Sequence, residues 1–172
     1  MNEIKENHKD DITVLLPYLP AEESDLNYHT YYESIIRERD KKALAYFEKY
    51  LKPLGIKHLV RFRLDYMVTY TRRYKRQDLY HLFKYCHDNP KVKYIVAYDP
   101  VDIARSEDEE EMIYRKLKSL DIKLLYVKDF KLNSEDDSVR SQAMKEYLNP
   151  KRRSKLRKEW NQFNHRWDDP YF

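Results

Sequence analysis

The chain of 172 residues holds a single glycine, Gly55, and a single cysteine, Cys86. Glycine-rich phosphate loops and dinucleotide fingerprints need several glycines at fixed spacing, so both are excluded. A lone cysteine cannot close an internal disulfide, which suits a reducing cytoplasm, and a cytoplasmic protein is expected. No apolar run approaches the roughly 18 residues of a membrane span, and no membrane association is expected. The opening stretch MNEIKENHKDD lacks the apolar centre of a signal peptide. The six histidines show neither H-x-x-x-H nor C-x-x-C spacing, so no zinc site and no cofactor are expected. An excess of one charge is missing too. The formal net charge of +4 is too mild to establish a nucleic-acid partner by itself.

What is present is alternation. Apolar residues make up 41% of the chain, enough for one core. Strands are expected near 12–19, 57–63, 92–98 and 122–127; the third, VKYIVAY, is a short apolar run rich in β-branched and aromatic residues, while the second alternates polar residues at its ends. Between them lie helical patterns. A long one covers about 26–51, with Thr30 and Glu33 spaced as a capping box, and Pro53 and Gly55 stop it. A second spans about 76–87, with Leu79, Leu82, Phe83 and Cys86 on one face. The third opens at Ser106. Glu109 completes a capping box, acids crowd its first turn, and Arg115, Lys116 and Lys118 suit its carboxyl end. Met112, Ile113, Leu117 and Leu120 form its apolar stripe. Strands interleaved with helices predict an α/β fold, a small doubly wound and mostly parallel four-stranded sheet. Three regions are expected: a disordered N-terminus over 1–11, the α/β domain over 12–132, and a C-terminal helical, basic arm over 133–172. The arm would begin at a polar, acidic hinge, NSEDDS at 133–138, with a weakly helical stretch over 139–148 and a break at Asn149-Pro150.

Two stretches carry a resemblance. The loop after the third strand reads YDPVDIAR, and the helix before that strand opens in YKRQDLYHLFKYC. From Arg76 to Val127 their order and spacing resemble the serine recombinase (resolvase/invertase) family, whose corresponding patterns are K-x-x-D-R-L-x-R and D-R-x-x-L-x-x-L-L. The resemblance implies a resolvase-like α/β domain, site-specific DNA recombination, and a dimer. It implies a serine at the end of the first strand, in a pattern like Y-x-R-x-S, that attacks a DNA phosphodiester. Arginines would surround that phosphate, because charge develops on its oxygens. Here the arginine of that pattern falls on Tyr18 and the serine on Pro20. Proline has no nucleophile, and tyrosine brings no charge. Arg76 and Arg105 match two family arginines. Val101 and Asp102 fall on the family's Asp-Arg, so Asp102 puts a negative charge where a phosphate-binding arginine is expected. Ser24 is the one candidate for a displaced nucleophile, but an N-cap for the long helix is the preferred reading of it.

The remaining chemistry-bearing residues leave alternatives open. Asp65, Asp99, Asp102 and Asp129 each fall at or just past the end of an expected strand, where converging carboxylates can bind Mg²⁺ for phosphoryl transfer. Aspartate is also simply common in turns. The segment YTRRYKR at 70–76 interleaves rings and cations, as a nucleic-acid track or as a solvated loop. Lys151, Arg152, Arg153, Lys155, Arg157 and Lys158 place six cations within eight residues, a pattern that attracts phosphates. The leading expectation is a resolvase-like domain without its catalytic serine that associates with DNA weakly, without sequence preference, and without cleaving it. The alternatives are a scaffold of the same fold that binds a protein partner, or a Mg²⁺-dependent phosphoryl-transfer enzyme.

Overall fold

The computed structural model describes residues 10–16, 30–62, 77–104 and 106–147, with backbone alone at 30–36, 77–78 and 101. Four strands are present: β1 (Ile12–Leu16), β2 (His58–Arg61), β3 (Val92–Ala97) and β4 (Lys123–Tyr126). They form one sheet in the order β2-β1-β3-β4, every pair parallel. Four α-helices accompany them: α1 (Thr30–Tyr46), α2 (Gln77–Asp88), α3 (Glu107–Ser119) and α4 (Asp137–Tyr147). The expected α/β class, four parallel strands and interleaved helices are all observed. β3 and β4 are one and two residues shorter than the runs 92–98 and 122–127 suggested, and residues 17–19 and 63 of the first two runs lie outside the described residues.

The strand order explains the layering. The step from β1 to β2 goes one way along the sheet, and the steps to β3 and β4 go the other. Right-handed crossovers then put α1 on one face and α2 and α3 on the opposite face. The core divides accordingly. Leu15 and Val96 pack with Ala43, Phe47, Leu51 and Ile56 on the α1 side. Val14, Leu16, Ile95, Ala97, Leu124 and Tyr126 pack with Leu79, Leu82, Cys86, Ile113 and Leu117 on the other. Each fully buried Leu, Ile or Val contributes about 1.5–3 kcal/mol relative to exposure. One extra residue, Lys93, sits on β3 between the pairs Ile12–Val92 and Thr13–Tyr94, which is why Val92 and Ile95 share a face despite odd spacing.

Local signals behave as their chemistry requires. Ser106 caps α3, its hydroxyl accepting the Glu109 amide at 3.2 Å. Met112, expected in the α3 stripe, is exposed, while Glu110 is buried in its place. The long helix does not end cleanly. After Tyr46 the backbone widens into a π turn, Phe47–Leu51, closed by the Lys52 amide on the Phe47 carbonyl, and then tightens into a 3₁₀ turn, Lys52–Leu54. Gly55 ends it at φ 99°, a left-handed position that suits the chain's one glycine.

The stretch after β4 differs from the expected hinge. Asn133 clamps the edge strand, accepting the Tyr126 amide at 2.6 Å and donating to the Tyr126 carbonyl at 2.9 Å. Its side-chain amide thus takes the place that a neighbouring strand's backbone would take at Tyr126 on the outer edge of β4. Glu135 pairs with Lys123 at 2.6 Å, and Asp137 pairs with Lys118 at 2.9 Å. The helix that follows belongs to the core: Ala143, Met144 and Tyr147 pack in the same cluster as β3 and β4. The α/β unit therefore continues to Tyr147, past the expected boundary at 132. The basic block of the arm lies outside the described residues. Among the described residues no helix is long and apolar enough to cross a membrane.

Candidate functional site

In an open parallel sheet, ligands bind beyond the carboxyl ends of the strands, at the point where the strand order reverses. Here that point lies between β1 and β3. The chain leaves β3 through Tyr98 and Asp99 and enters a short 3₁₀ turn, Pro100–Asp102. The two aspartates close this turn on each other. The Asp99 amide donates to the Asp102 carboxylate at 3.0 Å, and the Asp102 amide donates to the Asp99 carbonyl at 2.9 Å. Both side chains are buried. Two of the four carboxylates considered from sequence are thus brought together.

Each is answered by a cation from another element. Arg39 of α1 forms an ion pair with Asp102. Lys128 lies just past β4, where its amide bonds the Tyr98 carbonyl at 3.0 Å, and its Nζ reaches Asp99 at 3.0 Å. Tyr147, the last residue of α4, donates its hydroxyl to the same Asp99 carboxylate. Burial is the largest influence on Asp102. It outweighs the nearby Arg39 guanidinium, Asp99 adds to it, and the carboxyl is pushed up to about 7. The half-buried Tyr98 ring lies among three cations: Arg39 at 5.3 Å, Lys42 at 5.1 Å and Lys128 at 6.0 Å from its centroid. Lys42 also pairs with Glu38 at 2.7 Å. The edge is thus a set of alternating charges around one aromatic ring, with cations on the outer rim and carboxylates beneath.

The other expected site residues fall differently. Asp129 caps the 3₁₀ turn Phe130–Asn133, accepting the Lys131 amide at 3.0 Å. Among the described residues no three His, Cys, Asp or Glu side chains come together as a metal-binding set. Tyr18, Pro20, Ser24, Asp65, Arg76, Arg105, Lys151, Arg152, Arg153, Lys155, Arg157 and Lys158 all lie outside the described residues. Sequence reasoning did not single out Arg39, Lys42, Tyr98, Lys128 or Tyr147. Arg39 and Asp102 are 63 residues apart, and no local spacing links them.

A second charged centre lies under α4. Arg140, 2% exposed, forms an ion pair with the buried Glu110, which also accepts the Tyr126 hydroxyl at 2.7 Å. The guanidinium covers the Tyr114 ring, its central carbon 3.5 Å from the centroid. Burial raises Glu110 above the ordinary glutamate range against the pull of Arg140, and it pushes the Tyr126 phenol well up. Glu110 Oε2 and Arg140 Nε have no hydrogen-bond partner among the described residues. Joining α3, β4 and α4, this centre fixes the helix that carries Tyr147 to the carboxyl edge.

Compared with known proteins, the chain matches no protein-family model and no curated protein.

Proposed function

We propose that this protein is a resolvase-like α/β domain without the family's nucleophile, which holds DNA and does not cut or join it. The observation that carries this reading is Asp102. It stands where the resemblance expects a phosphate-binding arginine, it is buried at the carboxyl edge, and its carboxylate engages Arg39. Phosphoryl transfer needs uncompensated positive charge around oxygens that become more negative. A buried carboxylate at that position opposes it. Pro20 at the expected nucleophile position supports the same conclusion.

DNA is held through its phosphates. The cations Lys151, Arg152, Arg153, Lys155, Arg157 and Lys158 supply most of the attraction, and Lys42 and Lys128 at the carboxyl edge add to it. Contacts to phosphate alone give binding without sequence preference, in the range of about 10⁻⁴ to 10⁻⁶ M at physiological salt. The protein works in the cytoplasm, where a single buried thiol, Cys86, stays reduced. The test incubates the protein with supercoiled plasmid and runs denaturing gels. No covalent protein–DNA adduct and no relaxed product are expected. A stable adduct that disappears in Ser24→Ala would show a displaced nucleophile and overturn the reading.

A further inference from the structure

The end of α1 and the turn after β4 build an exposed aromatic surface that the carboxyl-edge site does not use. In the π turn Phe47 and Leu51 point into the core, while Tyr46 and Tyr50 come together with ring centroids 4.8 Å apart. Across from them, the capped turn Phe130–Asn133 sets Phe130 against both rings. Its centroid is 5.9 Å from Tyr46, near-parallel at 29°, and 5.9 Å from Tyr50, edge-on at 73°. Phe130 is 56% exposed and Tyr50 41%. These rings are held from below. Asn133 bonds the β4 backbone, and Tyr46 packs on the core of the α1 face. π turns cluster at functional sites, and this one positions half of the surface.

The surrounding charges say what kind of partner fits. Lys49 Nζ lies 4.9 Å from the Tyr50 centroid, and the exposed Lys131 follows Phe130. Neither lysine has a carboxylate partner among the described residues. Glu48 is engaged by Lys52 at 2.5 Å, and the Asp129 carboxylate accepts the Lys131 backbone amide. The centres of protein interfaces favour Tyr and Phe but are poor in lysine. Rigid rings beside uncommitted ammonium groups are instead the arrangement that binds single strands, with bases stacking on rings and lysines meeting phosphates. A duplex keeps its base faces stacked and offers none to Phe130.

We infer that the Tyr46–Tyr50–Phe130 surface binds unpaired bases of single-stranded DNA, with Phe130 as the stacking face and Lys49 and Lys131 as phosphate contacts. This rests on the reading of the protein as DNA-associated. The experiment is fluorescence anisotropy on the full chain, with a labelled fifteen-nucleotide oligo(dT) and a duplex of equal length. Stacking contributes about 1–3 kcal/mol per base, so Phe130→Ala should weaken oligo(dT) binding about 5- to 150-fold. Duplex binding should stay within about twofold, since it relies on phosphate contacts elsewhere. Phe130→Trp should retain single-strand affinity, which separates loss of a ring from loss of fold. A loss under twofold in Phe130→Ala, or an equal loss on the duplex, overturns the inference. So does a Phe130→Ala variant that dissociates a dimer in size-exclusion chromatography while keeping its oligo(dT) affinity. Failure of the broader DNA reading would appear separately, as unsubstituted protein that does not bind the duplex at all.

Discussion

Asp102 should make this protein more stable at mildly acidic pH, through a single removable group. Its carboxyl is pushed from an ordinary 3.8 up to about 7, chiefly by burial. The folded state therefore holds a proton over a range in which the unfolded chain has released it. Wherever the folded state binds more protons, stability falls as pH rises. For Asp102 that fall begins above about 3.8, continues to about 7 and then levels off. At about 1.36 kcal/mol per pH unit across most of this interval, acidifying from pH 7.5 to 5.5 should add about 2 kcal/mol from this residue. Asp102→Asn keeps the shape and can still accept the Asp99 amide, but it cannot titrate. The assay is urea unfolding followed by circular dichroism, for both proteins at both pH values. The wild-type gain on acidification should exceed that of Asp102→Asn by about 2 kcal/mol, shared titrations cancelling in the difference. If the two gains are equal, Asp102 is not held up by its surroundings, and the account of the carboxyl edge is wrong.

Three further outcomes are expected, the first from the buried ion pair and the other two from the charge pattern of the arm. Arg140→Met leaves Glu110 buried without its partner and should cost about 3–5 kcal/mol in urea unfolding; adding Glu110→Gln, which can still accept the Tyr126 hydroxyl, should recover most of that loss. If about four of the six arm cations at 151–158 touch phosphates, log affinity for duplex DNA should fall against log salt with a slope of roughly −3.6. Deleting residues 150–172 should remove most duplex binding and leave the circular dichroism spectrum of the α/β unit intact; undiminished binding would move the contact to the carboxyl edge or to 70–76.

Much of the fold was legible in the chain because its signals are local. The run VKYIVA reads as a buried strand, Ser106 with Glu109 reads as a helix start, and Gly55 after Pro53 reads as a helix end; the structure has each of them. These features depend on residues a few positions apart, whose hydrogen bonds and side-chain periodicity are decided within one element. Alternation of such elements was sufficient for the α/β class and the parallel sheet. It did not determine the strand order, which brings together Arg39 and Asp102, 63 residues apart, and Lys128 and Asp99, 29 residues apart. The aspartates after β3 were visible as candidates, but their burial and their partners were not.

The acidic stretch at 133–138 shows the same division. By composition it reads as a hinge, and no local rule says that Asn133 will bond both backbone groups of Tyr126 on the sheet edge. In α4, Arg140 occupies a position that would need an apolar residue to complete the stripe of Ala143, Met144 and Tyr147, so the helix reads as weakly amphipathic. A lone arginine belongs in water by default. It is buried here because Glu110 and Tyr114 of α3 solvate it, while Tyr126 of β4 donates its hydroxyl to the same Glu110 carboxylate. The sequence by itself determined which segments become strands and helices and that they alternate. Tertiary structure decided which charges are buried, since the cost of removing a charge from water is offset only by partners that the folded chain assembles from distant positions.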